Sequence, residues 1–177
     1  MEVLNNYQRK KLDESNDEEF YSDPKFVYHL DANFRQNLSD LYEREIDNNS
    51  TVLDLMSSWD SYLPKGKKYK KVIGHGLNKQ ELERNKIFDS YWIQNFNLSQ
   101  QIPLDKESVN YCLMVAAWQY LQYPENLTKE IADYSTVLDL MSSWDSYLPK
   151  EKKYKKVIGH GLNKQELERN KIFDSYW

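Results

Sequence analysis

Residues 50–92 read STVLDLMSSWDSYLPKGKKYKKVIGHGLNKQELERNKIFDSYW. Two short apolar runs stand out, TVLDLM from Thr51 to Met56 and VIGHGL from Val72 to Leu77. Each is the right length for a buried strand, and neither shows the apolar–polar alternation of a strand with one wet face. Between them, Ser57 to Leu63 suits a short helix, stopped by Pro64 and the loop KGKKYKK. After the second run, Asn78 followed by Glu81 forms a capping box, which opens a helix through about Asn85. Strands alternating with helices imply an α/β fold: a Rossmann-like parallel sheet with right-handed crossovers.

The same stretch returns from Ser135 to Trp177, and Gly66 against Glu151 is the sole difference in 43 residues. Solenoid repeats keep a pattern and lose identity, because many apolar residues fill one core position equally well. Near-identity through the loops therefore points to a recent duplication or to a fault in the sequence itself, rather than to a packing requirement. Each copy holds two strands and a helix of a larger sheet, not a domain.

Further along, Ser90 to Gln94 suits a short third strand, and the loop NLSQQIPLDKES leads to a fourth, VNYCLMVA, from Val109 to Ala116. After Pro124, Leu127, Ile131 and Tyr134 form a helical stripe that runs into the second copy. The run Thr136 to Met141 is then expected to lie beside the fourth strand, with Val157 to Leu162 outside it, since a bare apolar edge invites aggregation. Identical strands competing for one position make self-association by strand exchange plausible. Towards the start, Asp23 can cap and Pro24 suits a first helical position. Val27, Leu30, Phe34, Leu38 and Leu41 follow at steps of three and four, which predicts one amphipathic helix ending near Ile46. Residues 1–20 are charged and read as a disordered lead-in. Three parts result: the lead-in, a partial Rossmann-like domain over 21–134, and the repeat over 135–177, packed on the same sheet.

Hydrophobic residues make up 40 % of the chain and charged residues 29 %, which permits one domain-sized core. The net charge of -4 disfavours non-specific attraction to nucleic acid or anionic lipid. No apolar run approaches the ~20 residues of a membrane span. Cys112 is the single cysteine and lies in an apolar run, so no intrachain disulfide forms and a reducing, intracellular and soluble setting is expected. His75 and His160 sit in GHG without further ligands at metal spacing, so no metal site is expected. The lysines of KGKKYKK read as a solvated loop; weak nucleic-acid binding through them is the least favoured function. Ser57 and Ser58 lack a paired base, and no catalytic residue can be named.

Ligands of an open parallel sheet sit beyond the carboxyl ends of the strands. The turn there reads DLMSSWDS, without the glycines that let a ligand approach the backbone. Taken in order, TVLDLMSSW, KVIGHGLNKQELERN, WIQNFNLSQQIPL and YCLMVAAWQYLQYP resemble a subgroup of class I S-adenosylmethionine-dependent methyltransferases of the type 11 sort, in which DLMSSW replaces the glycine loop. The resemblance runs from about Phe20 to Ala132. Family members continue into a fifth strand and an acceptor pocket, so the chain is expected to be truncated relative to them.

The resemblance implies S-adenosyl-L-methionine as cofactor and an acceptor substrate that the sequence does not identify. It places Asp54, Met56, Ser57, Ser58 and Trp59 beside the methionine part of the cofactor. Gly76 and Asn78 fall where an acid usually holds the ribose hydroxyls, and Gln94 and Asn95 where a glutamine–aspartate pair lies near adenine. Asn110 stands where the fourth strand usually carries an aspartate. With acids replaced by Gly76, Asn95 and Asn110, a non-catalytic Rossmann-like binding or scaffold protein is the alternative to a methyltransferase.

Overall fold

The computed structural model describes residues 4–11 and 13–132, together with three strand segments beyond them. Its elements are α1 (Asp17–Phe20), α2 (Ala32–Glu45), β1 (Thr51–Leu55), β2 (Lys71–Gly76), α3 (Lys79–Arg84), β3 (Ser90–Ile93), β4 (Tyr111–Met114), α4 (Pro124–Ala132), β5 (Thr136–Asp139), β6 (Val157–Gly159) and β7 (Ser175–Tyr176). The strands form one sheet in the order β3-β2-β1-β4-β5-β6-β7, with every pairing parallel. The fold is α/β, with a Rossmann-like sheet.

β1 is buried at all five positions because it lies in the middle of this sheet with a layer on each side. On one face Val52, Val72 and Leu113 pack with Leu38, Leu41, Tyr42 and Ile46 of the α2 region. On the other, Leu53, Leu55, Ile73, Cys112 and Met114 pack with Leu127 and Ile131 of α4. Burial of a leucine or valine of this kind stabilises by about 1.5–3 kcal/mol. The two faces together account for the unbroken apolar character of TVLDL.

Within the second copy, the pairings repeat those of the first. Val137 lies opposite Val157 as Val52 does opposite Val72, and Ile158 lies opposite Ser175 as Ile73 does opposite Ser90. Against β4 the copies differ by one residue: Val52 is in line with Tyr111, but Val137 is in line with Cys112. Tyr134, expected in the helical stripe, and the expected strand ends beyond Asp139 and Gly159 lie outside the described residues.

The long N-terminal helix begins later than its apolar spacing predicts. Asp31, not Asp23, is the cap; its side chain accepts from the N–H groups of Asn33 and Phe34, and the helix starts at Ala32. Phe34, Leu38 and Leu41 keep their helical face, but Pro24, Val27 and Leu30 lie in non-helical chain. The backbone of 21–27 is taken up by contacts with the carboxyl edge of the sheet, and these win over helix propensity. No helix forms over Ser57–Leu63 either. Asp60 accepts from the N–H of Tyr62, Tyr62 has φ 55°, and Asn85 donates to the Ser58 carbonyl and the Ser61 hydroxyl. These bonds satisfy a non-helical path.

The charged lead-in also has defined contacts. The Arg9 guanidinium pairs with the Glu125 carboxylate of α4 and donates to the Gln122 carbonyl at 2.6 Å, and both charged residues are buried. Removing one member of a buried pair strands the other charge. Arg9→Met is expected to lower unfolding free energy by about 3 kcal/mol in urea denaturation; an unchanged midpoint would show that this segment is not anchored.

Candidate functional site at the carboxyl edge

His75 organises the edge where β1, β2 and β3 end. Its Nδ1 accepts from the Met56 N–H at 3.1 Å and its Nε2 lies 2.8 Å from the Gln94 carbonyl. The second bond requires a proton on Nε2 and the first a lone pair on Nδ1, which defines a neutral tautomer. Burial keeps the ring neutral, lowering its pKa to about 4. The ring stacks on Phe96 with centroids 4.0 Å apart and tilts against Trp92 at 4.8 Å. Both nitrogens are therefore used inside the fold.

The two glycines beside it serve close approach. A Cβ on Gly74 would collide with the Phe88 ring, and one on Gly76 would lie 2.5 Å from the Ser57 carbonyl oxygen. Ser57 also donates its N–H to the His75 carbonyl at 2.7 Å, so the turn after β1 lies directly on the end of β2. That turn begins at Met56 with φ 51°, and the turn after β4 uses Ala116 with φ 50°. Left-handed backbone at two non-glycine residues is costly, by about 1–3 kcal/mol each. Both sit at the carboxyl ends of adjacent central strands.

Asp54 is buried, and its carboxyl accepts from the Ser57 hydroxyl at 2.7 Å. Burial raises its pKa to about 7, against the lowering effect of bonds from Ser61 and Ser57. Ser58 donates its hydroxyl to Glu81 at 2.5 Å, and the Trp59 indole N–H donates to the Val27 carbonyl at 3.2 Å. Asn78 caps α3 by accepting from the Glu81 N–H, while its amide donates to the Tyr21 and Ser22 carbonyls at 2.9 and 3.0 Å. Gln94 donates to the Ser99 and Gln101 carbonyls, both at 2.8 Å, and shapes the loop after β3. Asn95 accepts from the Asn97 N–H and donates to the Asp17 carboxylate at 3.3 Å.

Nine of the ten residues that the resemblance singles out thus lie along one edge of the sheet. Asn110 does not. It precedes β4 at the opposite edge, where its side chain accepts from the Thr51 N–H at 2.8 Å. The lysine loop also leads into the amino end of β2, and Lys67 is held there by the Glu43 carbonyl at 2.6 Å. Cys112 is buried and its thiol pKa is raised by burial, so it is an inert core residue. Two participants were not foreseen: Glu81, read only as a capping residue, and Asp17, read as part of the lead-in. Their carboxylates reach the edge through tertiary contacts that sequence spacing does not encode.

A cleft of about 430 Å³ opens next to Asn95, bordered by Lys11, Asp17, Asn97 and Gln122. The residues present do not fit a ribose diol well. The hydroxyls of a diol both donate and accept, but the Asn78 and Asn95 amides are already bonded to the Tyr21 and Ser22 carbonyls and the Asp17 carboxylate.

No protein-family model matches the chain, and no curated protein is significantly similar in sequence. One similar solved structure is the "Complex between the Haloferax volcanii Trm112 methyltransferase activator and the putative methyltransferase". The TM-score is 0.45 at 18 % identity, over 59 % of this chain and 53 % of that one. The match spans about half the length of that neighbour. Among the described residues, no helix is long and apolar enough to cross a membrane.

The two buried titrating groups at this edge act in opposite directions. His75, with its pKa lowered to about 4, destabilises the fold as pH falls below its ordinary value of 6.5, because only the unfolded chain then gains the proton. Asp54, with its pKa raised to about 7, contributes stability at low pH that is lost as pH rises through 7. Asp54→Asn is therefore expected to gain stability relative to the parent between pH 4 and pH 8, by at most about 4 kcal/mol. Urea unfolding across that range provides the measurement; a pH-independent difference would mean that Asp54 ionises normally.

Proposed function

We propose that this chain is a homologue of the class I S-adenosylmethionine-dependent methyltransferases, with its cofactor edge at the carboxyl ends of β1, β2 and β3. The observation that carries this reading is position. Asp54, Met56, Ser57, Ser58, Trp59, Gly76, Asn78, Gln94 and Asn95 come from three separate strand ends and meet along one edge. Ligands of Rossmann-like sheets bind at this edge. The left-handed residues Met56 and Ala116 lend support, because backbone strain concentrates at functional sites. The cofactor would supply an electrophilic methyl group on a sulfonium. Met56 to Trp59 would border its methionine part, and Gln94 and Asn95 its adenine.

A second reading is favoured by one specific observation. The amides of Asn78 and Asn95 are bonded to the chain's own N-terminal segment, and Gly76 offers no side chain for a ribose. A non-catalytic Rossmann-like binding protein accommodates those features without a cofactor. Calorimetric titration of the full chain with S-adenosylmethionine separates the two. Binding heat, reduced by Met56→Asp, is expected for the methyltransferase homologue; no heat at high micromolar cofactor would leave the binding protein as the reading that stands.

A further inference from the structure

The segment from Asp17 to Tyr28 meets the carboxyl edge in the way a bound peptide meets a receptor. The receptor side supplies donors: the Asn78 amide to the Tyr21 and Ser22 carbonyls, the Trp59 indole N–H to the Val27 carbonyl, and the Asn95 and Asn97 amides to the Asp17 carboxylate at 3.3 and 2.9 Å. It also supplies one acceptor, Glu81, which takes the Lys25 backbone N–H at 2.6 Å. Side chains add flat cation–aromatic contacts. Arg84 lies 4.4 Å from the Phe26 ring, Arg35 lies 3.7 Å from the Tyr28 ring, and Tyr28 packs on Trp59 with centroids 4.6 Å apart.

Backbone hydrogen bonds combined with side-chain contacts are the recognition mode of extended peptides. The apolar burial that holds an ordinary core segment is lacking. Phe20 is 51 %, Val27 55 % and Tyr28 48 % exposed. Docking rests on polar complementarity, and the amides are what provide it. An acid at position 78 would turn an acceptor towards two carbonyls, and an acid at position 95 would face the Asp17 carboxylate.

We propose that the carboxyl edge of this sheet is a peptide-binding site, filled in cis by residues 17–28, in which the amides of Asn78 and Asn95 select backbone carbonyls and a carboxylate in place of a diol. This goes beyond the methyltransferase reading and stands on contacts independent of it. A nucleoside cofactor and this segment compete for the same groups.

Amide hydrogen exchange on the full chain tests it. Asn78→Asp keeps the oxygen that caps α3, removes the donor to Tyr21 and Ser22 and sets a carboxylate oxygen against their carbonyls. Asn95→Asp keeps the acceptor for the Asn97 N–H and places like charges opposite each other. Exchange of the Lys25 amide in the first variant, and of the Phe20 and Tyr21 amides in the second, is expected to accelerate at least about tenfold at unchanged far-UV dichroism. Parental rates in both variants would overturn the proposal. With S-adenosylmethionine added to the parent, binding heat accompanied by faster exchange over 17–28 supports competition. Heat with unchanged or slower exchange overturns it, because the segment would then be a cover over the cofactor. Absence of heat removes the methyltransferase reading alone, and the two variants still decide the peptide site.

Discussion

One imidazole holds the carboxyl edge together. His75 belongs to β2, takes a hydrogen bond from the first residue beyond β1 and gives one to the residue that follows β3. Parallel strands satisfy one another along their lengths but leave their ends to the loops, and each buried polar group left without a partner costs about 1–3 kcal/mol. A neutral ring of fixed tautomer meets two such groups at once. Its neutrality is imposed by burial, so the geometry of the edge and the protonation state of one side chain depend on the same packing. The flanking glycines belong to the same device. Gly76 lets the Ser57 carbonyl approach, and Gly74 makes room for Phe88. The GHG run is a joint between three strand ends.

Much of this was legible in the residues. TVLDL and KVIGHG declare buried strands because both faces of each are apolar, and Asn78 with Glu81 declares the start of α3 because the capping box is local. The stripe from Leu127 to Ile131 placed α4 for the same reason. What could not be read depends on contacts between distant segments. Pro24 and the spacing of Val27, Leu30 and Phe34 satisfy every local rule for a helix, yet the backbone from Tyr21 to Val27 bonds to Asn78, Glu81 and Trp59 instead. Ser57 to Leu63 was misread for a related reason, since Asn85 supplies its partners from more than twenty residues away. Arg9 had no visible partner until α4 brought Glu125 alongside it.

At the candidate site, nine residues lie along one edge, and the polar side chains among them bond within the chain itself. Read from the sequence alone, Gly76, Asn95 and Asn110 stand where the resemblance expects acids. In the folded chain, the Asn78 and Asn95 amides meet acceptors supplied by the first thirty residues. Glu81 and Asp17 bring carboxylates to the same edge, each engaged by neighbouring donors. Asp17 illustrates the balance, because burial opposes its ionisation while bonds from Lys11 and Asn97 outweigh that effect and lower its pKa.

The single-residue offset between the two copies against β4 has a consequence for what kind of sequence can be reused. A step of one in register exchanges the two faces of a strand. With right-handed connections, a chain that steps outward from a central strand to the left and one that steps to the right must also place their connections on opposite faces. A sequence that stands on both flanks is therefore asked to work either way up. A strand patterned apolar on one side and polar on the other would fail that demand. TVLDL is buried at every position in its first setting, and the residues TVLD of the second copy form a strand on the other side of β4.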